Sequence, residues 1–187
     1  MSAINLRPAT VADAGAIGAL HVAAWRETYA GLLPDARLAA LSVPDRTAMW
    51  RDVLADPETP RHMAVFVAAT EGEIAGFGAC GRQRDAALAA AGYGGEIGAV
   101  YVLRAHQHRG LGRALMAALA RALSGFGHEA ASLWVLRSNF PARAFYEALG
   151  GTLLGEREEG SDGGQVELAF GWRNLSFLAD LGGRQST

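Results

Sequence analysis

Two hydrophobic periods divide the chain. In the first third, Ile17, Leu20, His21 and Ala24 follow one another at helical spacing. Thr10 can cap this helix at a start near Val11, with Asp13 three residues on completing a weak capping box. A short edge strand at 4–7, ended by Pro8, precedes it, and further helical stretches follow at 36–41 and 45–54. The pattern then changes to strands at 62–69 and 74–81, with Glu71-Gly72-Glu73 as the turn between them. A Gly- and Ala-rich connection, 82–95, leads to a third strand at 96–103. At Gly110 the helical period returns, with Leu111, Leu115, Leu119 and Leu123 on one face, until Ser124-Gly125-Phe126-Gly127 stops it. Residues 131–136 read as a strand and 140–149 as a helix ended by Gly150-Gly151. A terminal hairpin, 152–158 with 165–170, follows.

Strand, helix and strand over 96–136 require a right-handed crossover and a parallel pair, whereas hairpin-linked strands are antiparallel. The expected fold is a single α/β domain over 1–174, with a mixed, mostly antiparallel sheet flanked by helices. Residues 175–187 are weakly patterned and read as a C-terminal tail that frays at its end.

Composition narrows the choice of partner. Of the 187 residues 50% are hydrophobic, enough for one sizeable core. The formal charge of -2 supplies no general attraction to nucleic acid or to a membrane surface. All 17 basic residues are Arg, which removes Lys as a catalytic group. The single Cys80 rules out an internal disulfide and fits a small buried strand residue in a reducing compartment. The start MSAINLRPAT has no apolar core of a signal peptide, and no apolar run approaches ~20 residues. A cytoplasmic protein is expected.

The helix that starts at Gly110 has an unusual beginning. Gly110 and Gly112 open the backbone, and Gln107, Arg109 and Arg113 add donors around it. Residues 97–128 contain four arginines and no acidic residue. Free N–H groups and the helix dipole make such a start a phosphate site in outline. Neither the P-loop nor the dinucleotide-binding fingerprint fits it. His106 and His108 lack a third ligand at suitable spacing, so no metal is expected.

The context is more specific. Tyr101-Val102-Leu103 and then Gln107-His108-Arg109-Gly110-Leu111-Gly112 resemble the Q/R-x-x-G-x-G/A acyl-CoA signature of the GNAT (Gcn5-related N-acetyltransferase) superfamily. The run Leu133-Trp134-Val135-Leu136-Arg137-Ser138-Asn139, followed by Ala142-Arg143-Ala144-Phe145-Tyr146-Glu147-Ala148-Leu149-Gly150, is similar to its second block, N-x-x-A-x-x-F-Y-E-x-L-G. The resemblance covers roughly residues 5–172. It implies a central parallel strand pair that splays apart and acetyl-CoA as cosubstrate. The coenzyme pyrophosphate would lie on the N–H groups of His108, Arg109, Gly110, Leu111, Gly112 and Arg113. Val100, Tyr101 and Val102 would flank the pantetheine arm from one side and Asn139 from the other. Asn139 is also a good N-cap for the helix after it, with Pro141 tolerated in the first turn.

Acetyl transfer from a thioester to an amine needs a neutral amine, although an aliphatic ammonium has a pKa near ~10.4, and a proton for a thiolate of pKa about 8.5. Tyr146, seven residues after Asn139, resembles the tyrosine that the family places beside the coenzyme sulfur. The same residue also fits the buried stripe Ala142, Phe145, Tyr146 and Leu149. Glu96 resembles the glutamate base of histone-type members, and it also fits an exposed charge at the start of a strand. Glu27 and His21 are reserves. Some relatives that acetylate protein N-termini carry Glu where this chain has Trp134. Trp25 and Tyr29, in AWRETYAGLLP, resemble a segment that borders the acceptor groove. The expected activity is direct transfer in a ternary complex to a small amine or amino-acid-like acceptor. A peptide or protein acceptor, or a non-catalytic acyl-CoA sensor, are the other readings. A homodimer through the terminal strands is compatible with all three.

Overall fold

A computed structural model of the chain describes residues 4–56, 58–159 and 164–181. Its first elements are β1 (Asn5–Pro8), α1 (Ala14–Tyr29), α2 (Asp35–Ala39), α3 (Val43–Ala55) and α4 (Thr59–His62). The hairpin β2 (Met63–Thr70) and β3 (Glu73–Arg82) follows, then α5 (Ala86–Ala90) and β4 (Gly95–Val102). The chain continues through α6 (Leu111–Gly125), β5 (Ala131–Leu136), α7 (Phe140–Ala148), β6 (Thr152–Glu159), β7 (Gln165–Trp172) and α8 (Leu175–Asp180).

The strands form one sheet in the order β1-β2-β3-β4-β5-β7-β6, antiparallel except for β4 beside β5. Burial follows from pattern. The stripe Leu111, Leu115, Leu119 and Leu123 is at most 1% exposed, so α6 lies with its apolar face on the sheet. On that side Met116, Leu119 and Leu123 join Leu133, Phe170 and Trp172 in one cluster. On the other side Ile17 and Leu20 of α1 and Trp50 of α3 pack with Phe77 and Val67 of the sheet. The α1 start is held from outside: Asp13 accepts two hydrogen bonds from Arg7, both 2.7 Å, and one from the Thr10 N–H at 2.7 Å. The Arg7 guanidinium keeps the Asp13 carboxyl well below the usual carboxylate range.

The parallel pair is short, and this positions the site. β4 and β5 pair only at Gly95–Ala131 and Glu96–Ser132 and then diverge. Gln83 pins the closed end, donating to Ser132 Oγ at 2.6 Å and to the Gly95 carbonyl at 3.3 Å. Just beyond, Ala79 faces Ala99 while Cys80 faces Ile97, which leaves Gly98 as an extra residue in β4. Such a bulge bends its strand. A gap therefore opens in mid-sheet between the ends of β4 and β5.

Three elements differ from the sequence expectation, the first being α4, which ends at His62 where a strand was expected to begin. Residues 82–95 contain the short α5, capped by Asp85 through the N–H groups of Ala87 and Leu88 at 2.9 and 3.1 Å. Residues 175–180, expected as part of a weakly patterned tail, form α8 against α6. Asn174 caps it, Leu175 and Leu178 are at most 1% exposed, and Arg121 donates to the Ala179 carbonyl at 2.7 Å. Six residues with a single pair of buried leucines carry too little periodicity to be recognised. The fraying expected for Gln185-Ser186-Thr187 falls outside the described residues. Leu178→Ala is expected to cost about 2–5 kcal/mol of stability, read from the urea midpoint. An unchanged midpoint would show that α8 contributes nothing to the core.

Candidate active site

The gap has a defined edge. The Leu103 N–H donates to the Ala75 carbonyl of β3 at 3.0 Å. Backbone direction alternates along a strand, so Tyr101 also presents its peptide groups to β3, and Val100 and Val102 present theirs to the gap. Tyr101 is thus displaced from its expected place along the coenzyme arm. Its ring lies with His21 and Phe77 on the α1 side of the sheet, at 5.3 and 5.6 Å. Gln107 also departs from its expected role, because its Nε2 donates to the Val102 carbonyl at 3.0 Å and ties the loop to the strand.

Beyond Gln107 the chain turns through two left-handed residues, His108 at φ 59° and Gly110 at φ 89°. No side chain caps α6, and its first internal bond runs from the Ala114 N–H to the Gly110 carbonyl at 3.0 Å. The N–H groups of Leu111, Gly112 and Arg113 precede that bond and are left for a ligand, and consecutive turned amides form an anion-binding nest. Leu111 is 1% exposed, so it offers only its backbone, whereas Arg109 and Arg113 are exposed beside it. The two glycines have different reasons. At Gly110 only the Ile4 Cδ1 would approach a Cβ, at 3.7 Å, and the left-handed backbone is what selects glycine. At Gly112 a Cβ would come within 3.1 Å of Phe145 Cζ, so its smallness serves the contact of α6 with α7. Sequence reasoning assigned both to the ligand.

On the far side of the gap Asn139 is 6% exposed and caps α7, accepting from the Ala142 N–H at 3.3 Å. Tyr146, one face of α7 further on, is 9% exposed among Phe145, Phe170 and Trp172. Among the described residues no group hydrogen-bonds its hydroxyl, and burial pushes its phenol up from the ordinary value. It therefore carries its proton at neutral pH.

Across the sheet, on the α1 side, lies a cavity of about 200 Å³ whose lining includes Trp25, Tyr29, Tyr101, Gly98 and Glu96. Trp25 Nε1 donates to the Tyr101 hydroxyl at 2.9 Å, and the Tyr29 ring meets Trp25 edge-on at 5.0 Å. Burial raises both phenols; Tyr101 raises Tyr29 and Tyr146 further, whereas hydrogen bonds from Tyr29 and Trp25 work against the rise at Tyr101. Glu96 is 8% exposed and bound by Arg84. The Arg84 N–H and Nε donate to Oε2, both at 3.0 Å, and Nη2 to Oε1 at 2.5 Å. Opposite, Arg157 forks onto Glu167 at 2.9 and 2.7 Å and stacks 4.1 Å over the Trp134 ring.

The reserve bases are engaged elsewhere. His21 Nδ1 accepts from Trp50 Nε1 at 3.0 Å, and burial lowers its pKa to about 4. Glu27 accepts from the Arg104 N–H at 2.8 Å. His106 Nδ1 lies 3.2 Å from Thr70 Oγ1, and no group of three metal-type ligands is found among the described residues. Sequence reasoning missed Arg84, Arg157 and Glu167. The facing of Arg157 and Glu167 across the terminal hairpin was the one available signal for them. No helix among the described residues is long and apolar enough to cross a membrane.

A splayed parallel pair, a helix N-terminus without a side-chain cap and the buried phenol of Tyr146 come together in this part of the fold. Residues 23–151 match the model of the Acetyltransferase (GNAT) family. The chain is also 32% identical over 180 residues to the uncharacterised N-acetyltransferase YuaI of Bacillus subtilis (strain 168), covering 95% of this chain and 98% of that one. The chain belongs to the GNAT family of acetyltransferases. Solved structures share the fold at low identity. The PaiA N-acetyltransferase of Thermoplasma acidophilum, in complex with coenzyme A, has a TM-score of 0.69 at 16% identity, covering 89% of this chain and 98% of that one. YncA of Salmonella typhimurium, with its cofactor acetyl-CoA, has a TM-score of 0.68 at 21% identity, covering 92% and 94%.

Proposed function

We propose that this N-acetyltransferase acetylates a small amine or amino-acid-like acceptor by direct attack in a ternary complex. The observation that carries the proposal is the gap itself. It is reached by the nest at Gly110 and by Tyr146 from one face of the sheet, and from the other by the cavity that Trp25, Tyr29 and Tyr101 help to line. The residues fit acetyl-CoA: Val100 turns its peptide groups and Val102 its N–H to the gap, the Val102 carbonyl being held by Gln107, and the N–H groups of Leu111 to Arg113 meet no carbonyl. When bound, the coenzyme supplies an activated thioester.

The remaining work falls to side chains of this chain. Tyr146 keeps a proton that no neighbour claims and gives it to the departing sulfur. Glu96 takes the proton of the acceptor ammonium. It does so in exchange with Arg84, whose side chain is 79% exposed and free to move into solvent. Asn139 closes the far wall, with its amide N–H groups left over from its capping role. Trp25 and Tyr29 hold the acceptor, and a cavity of about 200 Å³ suits a small molecule better than a folded protein surface.

The test is thiol release from acetyl-CoA with a panel of amines and peptides. Turnover with small amines supports the reading. Binding of acetyl-CoA without turnover of any amine leaves the sensor reading in its place. Gly110→Val should weaken acetyl-CoA binding at least tenfold, about 1.4 kcal/mol, because a β-branched residue does not hold φ near +89°. Calorimetry on the folded variant measures it. Unchanged affinity would remove the phosphate-nest assignment.

A further inference from the structure

The charges of the acceptor cavity do not cancel. Glu96 is closed by the Arg84 fork and Glu167 by the Arg157 fork, and Arg157 also has Asp85 at 3.6 Å. A third guanidinium on the lining, Arg37 of α2, has no carboxylate partner among the described residues. It lies 6.0 Å from the centroid of the Trp25 ring. Arg46 of α3, which does not line the cavity, lies 5.7 Å from the same ring and makes its own polar contact with the Met49 sulfur at 3.6 Å. Two guanidiniums without a carboxylate partner among the described residues thus flank the indole whose N–H holds Tyr101. The field of Arg46 reaches inward, since it is the second cause, after burial, of the depressed His21 pKa.

We infer that the acceptor is an amine that also carries a carboxylate, which Arg37 holds at the Trp25 rim while the amine points to Gly98 and Tyr101. The inference rests on the N-acetyltransferase reading above and narrows its acceptor. The guanidinium presents a planar pair of N–H donors that matches a carboxylate. The carboxylates already in the cavity cannot serve a second ammonium without breaking a fork. A diamine would place its distal charge against Arg37 and Arg46, where like charges repel. An amino acid meets both ends of the cavity with complementary groups.

The experiment uses the full chain and three acceptors of similar skeleton: an α-amino acid, its carboxamide and a diamine. The quantity read is the ratio of kcat/KM values between acceptors, compared between parent and variant so that differences in amine pKa cancel. Arg37→Gln should reduce the ratio of amino acid to carboxamide about tenfold, chiefly through KM. Arg37→Glu should turn the preference toward the diamine. Calorimetry with acetyl-CoA on each variant checks that the coenzyme site is intact. Ratios that stay the same in both variants overturn the carboxylate subsite while leaving the acetyltransferase reading standing. Acetyl-CoA binding with no turnover of any amine overturns both.

Discussion

Tyr146→Phe is expected to lower kcat by about 10²- to 10⁴-fold, the usual range for loss of a positioned general acid. The ring stays, so contacts with Phe170 and Trp172 at 6.4 and 6.2 Å are kept. No described residue hydrogen-bonds the hydroxyl, so its removal leaves no buried partner unsatisfied and the thermal midpoint should hardly move. Affinity for acetyl-CoA should change little, because the nest at His108 to Arg113 is untouched. The decisive measurement is a single-turnover rate, which excludes product release. A full single-turnover rate in the variant would return Tyr146 to its part in the stripe of α7 and nothing more.

Much of this fold was legible because long elements carry long periods. The α6 stripe repeats its leucine at 111, 115, 119 and 123, and every one of them is buried. The β2–β3 hairpin advertises itself through Glu71-Gly72, both at positive φ. The parallel pair followed from strand, helix and strand in succession. What stayed hidden was short or depended on contacts distant in sequence. α8 has six residues, and its burial exists only because α6 is there to receive Leu175 and Leu178.

The site divides in the same way. Its local parts, the turn at Gly110 and the block around Tyr146, lie within single stretches of chain and could be read there. The direction of Tyr101 could not, because it depends on which edge of β4 faces β3. The partner of Glu96 could not either. Arg84 stands 12 residues before Glu96, across the β3–β4 connection, and nothing in local pattern joins the two. Gly112 has a second reason that the motif does not show: a Cβ there would come within 3.1 Å of Phe145.

Glu96→Gln should act on the other half of the reaction. Gln keeps the volume and still accepts from the Arg84 N–H, now 3.0 Å from Oε2. The Arg84 guanidinium, left without its counterion, is exposed enough for water to replace it. The variant should therefore fold. What it loses is the group that takes a proton from the acceptor ammonium. Without that group the enzyme depends on amine already neutral in solution, about one molecule in a thousand at pH 7 for an aliphatic amine of pKa near ~10.4. Its kcat/KM should fall about 10²-fold near neutrality and keep rising with pH toward the acceptor's own pKa. The parent enzyme should level off well below that point. Paired pH–rate profiles with one responsive amine measure the difference. If the two profiles superimpose, Glu96 is not the base. His21 and Glu27 would not inherit the role, since neither lines the cavity. Glu167 would then be the carboxylate to test, through the same profiles with Glu167→Gln, because it is the other acid on the cavity wall and only the Arg157 fork stands before it.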